Sequence, residues 1–390
     1  MFLELHILQS FAPSNLNRDD TGSPKDCEFG GFRRARISSQ CLKRAVRTAF
    51  KELELLPAAN RAVRTKRLAG ELVRALKAAG KDPAQASAVA ERALAACGLA
   101  LDKDAQTQYL LFLADDEIGR LAKACLTHWD ALVGAKSEGE RPAAVTREIK
   151  RAGKEGVPPE VRSALDAVLD GGKAADLALF GRMLADWPEK NVDAACQVAH
   201  AISTHRVGVE FDYYTAVDDL KGEESAGAGM VGTVEFNSAC FYRYANVDLK
   251  QLRDNLKEDE LAARSALAFV HAAVVAVPGG KQHSMAAQNP PSFVLAVLRN
   301  RRLWSLANAF LKPVRADGEA DLMERSVAAL DGYWAKLTAM YGKEGIAGLW
   351  CVSLDDRGLE NLKPARLSDF GTLLRHLDDA LGAVLAGGRA

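Results

Sequence analysis

The spacing of the strand-like segments constrains this chain more than any other feature. Residues 2–8 alternate, with Leu3, Leu5 and Ile7 on one side, and read as a strand. Two further alternating runs, HRVGVEFDYYTAVDDL and MVGTVEFNSACFYRYANVDL, fill about 205–248 and are rich in Val, Thr, Phe and Tyr. Between these regions, from about 57 to 185, Ala, Leu and charged residues dominate and strand formers thin out. Strands at the start and middle can share a sheet only if the helical block is excluded from it. The expected class is therefore α+β, with insertions projecting from a central sheet. A strand-like run at Phe293–Leu298 and an amphipathic helix over about 249–276 complete the pattern.

The two runs at 205–248 are joined by KGEESAGAG, a glycine-rich link that predicts a long hairpin. Its tip is acidic (Asp218, Asp219, Glu223, Glu224), which disfavours phosphate contact there. A two-stranded arm is marginal alone and must pack on something, either a neighbouring copy or a sheet of the same chain.

The chain carries 51 basic and 51 acidic residues, so its total charge predicts no anionic partner. Distribution says more. Between Phe29 and Lys51 stand seven cations (Arg33, Arg34, Arg36, Lys43, Arg44, Arg47, Lys51) and no acid. The polar loop PSNLNRDDTGSPKD precedes this segment, and Gly30-Gly31 form a turn that would permit close approach of a backbone. Ser38 and Ser39 are favoured N-cap residues for a helix over about 40–56, with Leu42, Val46, Ala49 and Phe50 at core spacing. A helix start surrounded by cations suits a phosphate, and Lys43 and Arg47 lie one turn apart. The competing reading is a solvated cationic face whose charges pair with acids elsewhere. A second stripe, Arg147, Lys150, Arg151 and Lys154, falls on one helical face and has the same two readings.

Catalytic and metal signatures are scarce. The seven histidines form no HExxH or Cys/His zinc spacing, and there is no GxSxG or Walker loop. His200 and His205 read as structural, and VPGGKQHS (277–284) is only phosphate-friendly in type. Asp19-Asp20 could serve a metal-dependent nuclease, although adjacent acids in a polar loop more often make turns. No cofactor is expected. Seven scattered cysteines without a CxxC pair, no apolar run of membrane-spanning length and no secretory pattern at MFLELHILQSF predict a cytoplasmic protein.

SNLNRDD (14–20), FGGFRRARISSQCLKRA (29–45), AHAISTH (199–205), YTAVDDL (214–220), EFNSACFYRYAN (235–246), VPGGKQHSMAAQNP (277–290) and SLANAF (305–310) occur in that order. In these blocks the chain closely resembles the CasC backbone subunits of type I-E CRISPR Cascade complexes, within the Cas-seven family and RAMP superfamily. The resemblance implies a modified ferredoxin-like, RRM-derived palm (1–56, 186–204 and 249–390), a helical fingers insertion (57–185) and a β-hairpin thumb (205–248). It implies a non-enzymatic subunit that polymerises along CRISPR RNA beside other Cascade subunits and supports pairing with target DNA. Carried over by position, guide binding would involve Arg18, Lys25, Ser38, Gln40, Lys43, Arg44 and Arg47. Arg34 and Arg36 of the acid-free segment complete the RNA-binding set. Met183 and Val231 match apolar positions that wedge at a kinked nucleotide; the family can have Leu in place of Val231, which fills more volume. The stripe at 147–154 lies where the fingers can face target DNA. The alternative is a backbone nuclease acting through Asp19 or Asp20.

Overall fold

The computed structural model describes residues 1–99, 101–134, 157–184, 188–216 and 230–387. Its strands are β1 (Phe2–Ser14), β2 (Asp26–Phe29), β3 (Phe32–Ile37), β4 (Ala62–Thr65), β5 (Leu111–Ala114) and β6 (Cys196–Val198), then β7 (Ala201–Ser203), β8 (Glu210–Ala216), β9 (Met230–Asp248), β10 (Phe293–Arg299) and β11 (Ile346–Ser353). The chain forms two compact units. One comprises Met1–Leu55, Cys196–Leu249 and Ala266–Ala390; the other comprises Leu56–Ala195 and Lys250–Ser265.

The first unit is built on a nine-stranded sheet in the order β11-β10-β1-β9-β7-β3-β2, with β6 and β8 also paired to β9. The pairings are antiparallel; Leu3, for example, stands opposite Leu298 on one side and Val247 on the other. The mixed α+β class expected from the strand spacing is thus the observed one.

β1 is longer than the alternation predicted and is buried on both faces. Leu8, Phe293, Leu295 and Val297 pack with Leu306, Phe310 and the helix Leu322–Tyr341, through Val327, Leu330 and Trp334. On the opposite face Leu5 and Ile7 meet Leu42, Val46, Phe269 and Ala273 around a cavity of about 20 Å³. Polar β1 side chains enclosed in this way need partners. Glu4 lies 2.8 Å from Arg299 Nε and accepts from the Tyr244 hydroxyl (2.9 Å) and the Trp304 N–H (2.6 Å). His6 Nδ1 is 2.9 Å from the Tyr242 hydroxyl. Burial pushes the Glu4 carboxyl up to about 7, against the pull of the Trp304 N–H and the Arg299 guanidinium. Burial, aided by the Arg299 charge, drops the His6 imidazole to about 3.

Local chemistry explains the β2–β3 hairpin. Gly30 and Gly31 take φ of +64° and +78°, as a two-residue type I′ turn between paired Phe29 and Phe32 requires. The expected role of Gly30 in approaching a ligand is corrected by its surroundings: a Cβ there would lie 2.2 Å from the Leu311 carbonyl oxygen. The chain's own backbone occupies that space.

β8 pairs with β9 from Glu210↔Phe236 to Ala216↔Met230, forming the hairpin that the alternation predicted. β8 is exposed throughout, whereas β9 turns from exposed to buried at Asn237. The acidic tip lies outside the described residues. The single helix expected over 249–276 is instead two, Leu249–Leu256 and Asp259–Val275, separated where Lys257 adopts φ +55°.

In the second unit, helices Leu68–Ala78, Pro83–Ala96, Asp115–Thr127 and Pro159–Val168 enclose a core that includes Leu72, Leu76, Val89, Leu94, Leu121 and Leu165. It is mainly helical, as expected, but β4 and β5 form a two-stranded sheet within it. A buried ion pair joins Arg182 NH1 to Glu117 Oε1 at 3.3 Å, and Glu117 also accepts the N–H groups of Ala114 and Gly171.

Candidate nucleic-acid interface

The candidate surface in the first unit begins with the loop between β1 and β2. Asn15 Nδ2 donates to the carbonyls of Gly22 and Glu235, both at 2.9 Å. Asn17 Oδ1 accepts the Ser38 N–H at 2.8 Å, and its carbonyl accepts the Lys25 N–H at 2.9 Å. Asp19 Oδ1 accepts from Thr21 N, Thr21 Oγ1 and Ser23 N, closing a turn that contains Gly22. The Thr21 hydroxyl is the leading reason that its carboxyl lies below the usual range. SNLNRDD is therefore largely a scaffold that presents Arg18 and Asp20 to solvent and sets the position of Lys25.

α1 (Ser39–Glu52) starts as expected: Ser38 has extended backbone and its Oγ accepts the Cys41 N–H at 3.3 Å. Leu42, Val46, Ala49 and Phe50 are buried, and no acid occupies the first turn. The outer side carries exposed Gln40 and Arg44 and half-buried Lys43 and Arg47. The cationic face predicted from the one-turn spacing is present.

Two of the nine RNA-binding candidates are not surface groups. Ser38 is buried at the helix cap. Arg34 is fully buried; NH1 donates to the carbonyls of Ser203 and Thr204, and NH2 donates to those of Phe310 and Leu311. Arg34 therefore ties β3 to distant chain segments, and its role is corrected from phosphate binding to internal support. Arg33, exposed, pairs with Asp26.

Arg36 is half-buried; its Nε donates to the Asp26 carbonyl at 3.0 Å, and NH1 lies 3.2 Å from His200 Nδ1. His200 is exposed, and its contact with Arg36 lies within the chain. Its neighbour Arg36 lies far away in sequence, which is why local spacing gave no sign of the pair. A cleft of about 430 Å³ adjoins these groups, lined by Asp19, Lys25, Arg33, Arg36, Phe211 and Glu235 among others. Cations, acids and one aromatic ring from β8 thus share one opening.

Met183 and Val231 are each solvent-facing, 84% and 55% exposed. Met183 follows Gly181, whose φ of +77° and close approach to the Val192 carbonyl exclude a side chain, and Arg182, which is anchored to Glu117. The GRM segment thus holds an apolar side chain in water on a fixed backbone. Val231 lies opposite Thr215 on the β8–β9 hairpin. Arg147, Lys150, Arg151 and Lys154 lie outside the described residues. Among the described residues no group of three or more His, Cys, Asp or Glu side chains is placed to hold a metal ion. Nor is any described helix long and apolar enough to cross a membrane.

Comparison with solved structures finds similar chains. One, titled "CRISPR RNA-guided surveillance complex, pre-nicking", is 31% identical, with a TM-score of 0.84 over 98% of this chain and 100% of that one. Another, from a "CRISPR RNA-guided surveillance complex", is 26% identical, with a TM-score of 0.71 over 97% of this chain and 100% of that one. Comparison with curated proteins gives no match. A family model described as "CT1975-like protein" matches residues 3–378, nearly the whole chain, and the protein belongs to that family.

Proposed function

We propose that this chain is a non-catalytic, CRISPR RNA-binding backbone subunit of a type I-E Cascade complex, working in the cytoplasm. The observation that carries the reading is its end-to-end likeness to a chain of an RNA-guided surveillance complex. The first unit is then the palm, with a ferredoxin-like ancestry for its sheet; the helical unit is the fingers and the β8–β9 hairpin the thumb. A guide must be held whatever its sequence, so contacts go to phosphates rather than base edges. Arg18, Lys25, Arg36, Gln40, Lys43, Arg44 and Arg47 supply charge and hydrogen bonds for that purpose. Met183 and Val231 supply apolar wedges at kinked nucleotides.

In this reading copies polymerise along the guide, contact other Cascade subunits and support pairing with target DNA, which the 147–154 stripe faces. The three hydrogen bonds held by Asp19 Oδ1 support a turn-forming role over nuclease chemistry. Co-expression with CRISPR RNA and the remaining subunits tests the proposal. The chain should co-purify in several copies per guide; recovery of the assembled complex without it would overturn the reading.

A further inference from the structure

The exposed imidazole of His200 stands beside cations rather than an acid. It sits between β6 and β7, where Ala201 is in register with Ile37 of β3, and its Nδ1 lies 3.2 Å from Arg36 NH1. A guanidinium can only donate, so Nδ1 is the acceptor and the neutral ring carries its proton on Nε2. Desolvation first, then the charges of Arg36 and Lys25, hold the imidazole below its ordinary pKa. Those two cations are the charged groups acting on the ring from the β1–β2 loop and from β3. Neither forms an ion pair with a described residue, unlike neighbouring Arg33. Asp26 meets Arg36 only through its backbone carbonyl, which fixes the guanidinium without neutralising it. Asp19, Asp26 and Glu235 line the cleft that Lys25 and Arg36 share, but the charges that act on the ring are the two cations. The three nitrogen donors disfavour a proton there and favour an anion.

Resting on the RNA-binding reading, we propose that His200, Lys25 and Arg36 form one phosphate site, with His200 Nε2–H donating to a non-bridging oxygen of the RNA backbone. The phosphate's charge offsets the two cations, so the bound ring holds a proton more readily than the free one. Binding then takes up a proton, and affinity rises as pH falls. Protonation turns Nδ1 from acceptor to donor and frees Arg36 NH1 for the same phosphate.

The test compares the full-length wild type with His200→Gln, which keeps an acceptor for Arg36 and a donor for phosphate but does not titrate. Binding of a labelled single-stranded RNA of mixed sequence is followed by fluorescence anisotropy near pH 8 and near pH 5.5 over a range of salt. On acidification wild-type affinity should gain about threefold to tenfold more than that of the variant. The wild-type salt slope should steepen by about 0.7, the share of one added charge on a single strand. Superimposable pH profiles and salt slopes for the two proteins would overturn the proposal. Lys43→Glu/Arg47→Glu, measured in parallel, separates the role of His200 from RNA binding as a whole. If that variant loses affinity while His200→Gln tracks wild type, only the phosphate role of His200 fails. If it binds RNA as tightly as wild type, the RNA-binding reading itself fails and takes the proposal with it.

Discussion

Asn17 Oδ1 accepts the backbone N–H of Ser38 at 2.8 Å, so the loop that displays Arg18 and Lys25 is fastened to the first turn of α1. Ser38 then caps that turn through Cys41. Replacing Asn17 with Ala should cost about 1–2 kcal/mol, because the Ser38 N–H loses its acceptor. Ser38→Ala should cost about 0.5–1 kcal/mol, near the low end for a lost cap, since its bond is long. Urea denaturation of the two variants checks both values and their order.

Arg34→Ala should be far more damaging. It leaves four carbonyls, those of Ser203, Thr204, Phe310 and Leu311, without their charged donor, and a loss of about 3 kcal/mol or more is expected. Arg34→Lys should recover only a small part, because an ammonium lacks the fork. Thermal denaturation ranks the variants; wild-type stability in Arg34→Ala would refute the internal role.

Acid should act through His6. Its folded pKa, about 3, lies below the ordinary value near 6.5, so the unfolded chain binds more protons between them. The stabilisation linked to His6 is full above about pH 6.5 and is lost as pH falls toward 3, by at most about 1.4 kcal/mol per pH unit. Glu4 acts in the opposite sense: with a folded value near 7, its contribution is full below about 4.5 and is lost as pH rises to 7. His6→Gln should flatten the acid decline and Glu4→Gln should steepen it. Chemical denaturation of each variant between about pH 4.5 and 7.5 reads the slopes.

Charge reversal at Lys43 and Arg47 should weaken guide loading on every spacer sequence and flatten the salt dependence by about 1.4 or more, at roughly 0.7 per lost cation. Binding isotherms on several unrelated guides provide the check. A loss confined to some sequences would contradict backbone recognition.

Assembled complex incubated with matched RNA and Mg²⁺ should leave that RNA intact. Asp19→Ala should loosen the loop and alter guide affinity without changing any cleavage. Wild-type cleavage that disappears in Asp19→Ala or Asp20→Ala would replace the scaffold with a nuclease.

Features decided locally were legible in the sequence. The Ser38 cap, the four buried positions of α1 and the hairpin of alternating residues each follow from neighbours a few positions apart. Arg34 was not legible, because its acceptors come from Ser203 and Phe310, far along the chain, and a buried cation looks like an exposed one in a string of letters. The same holds for His200, whose position is set by strand register. The alternation over residues 2–8 marks β1 as a strand but does not show that its polar face, with Glu4 and His6, is buried as well. Their partners, Arg299 and Tyr244, sit on adjacent strands and make full burial tolerable. β4 and β5 escaped notice because four residues are too few to show a period.

β9 has a mechanical consequence. Its 19 residues run unbroken from the exposed hairpin into the middle of the sheet, a rod of about 63 Å at the usual rise per residue. Force applied to the hairpin along this strand therefore reaches β1 as shear, shared at once by the backbone hydrogen bonds between Phe11 and Phe2. Such loading resists rupture better than unzipping bonds one at a time. The arm behaves as a cantilever cast in one piece with its wall, suited to bearing tension and ill suited to swinging freely.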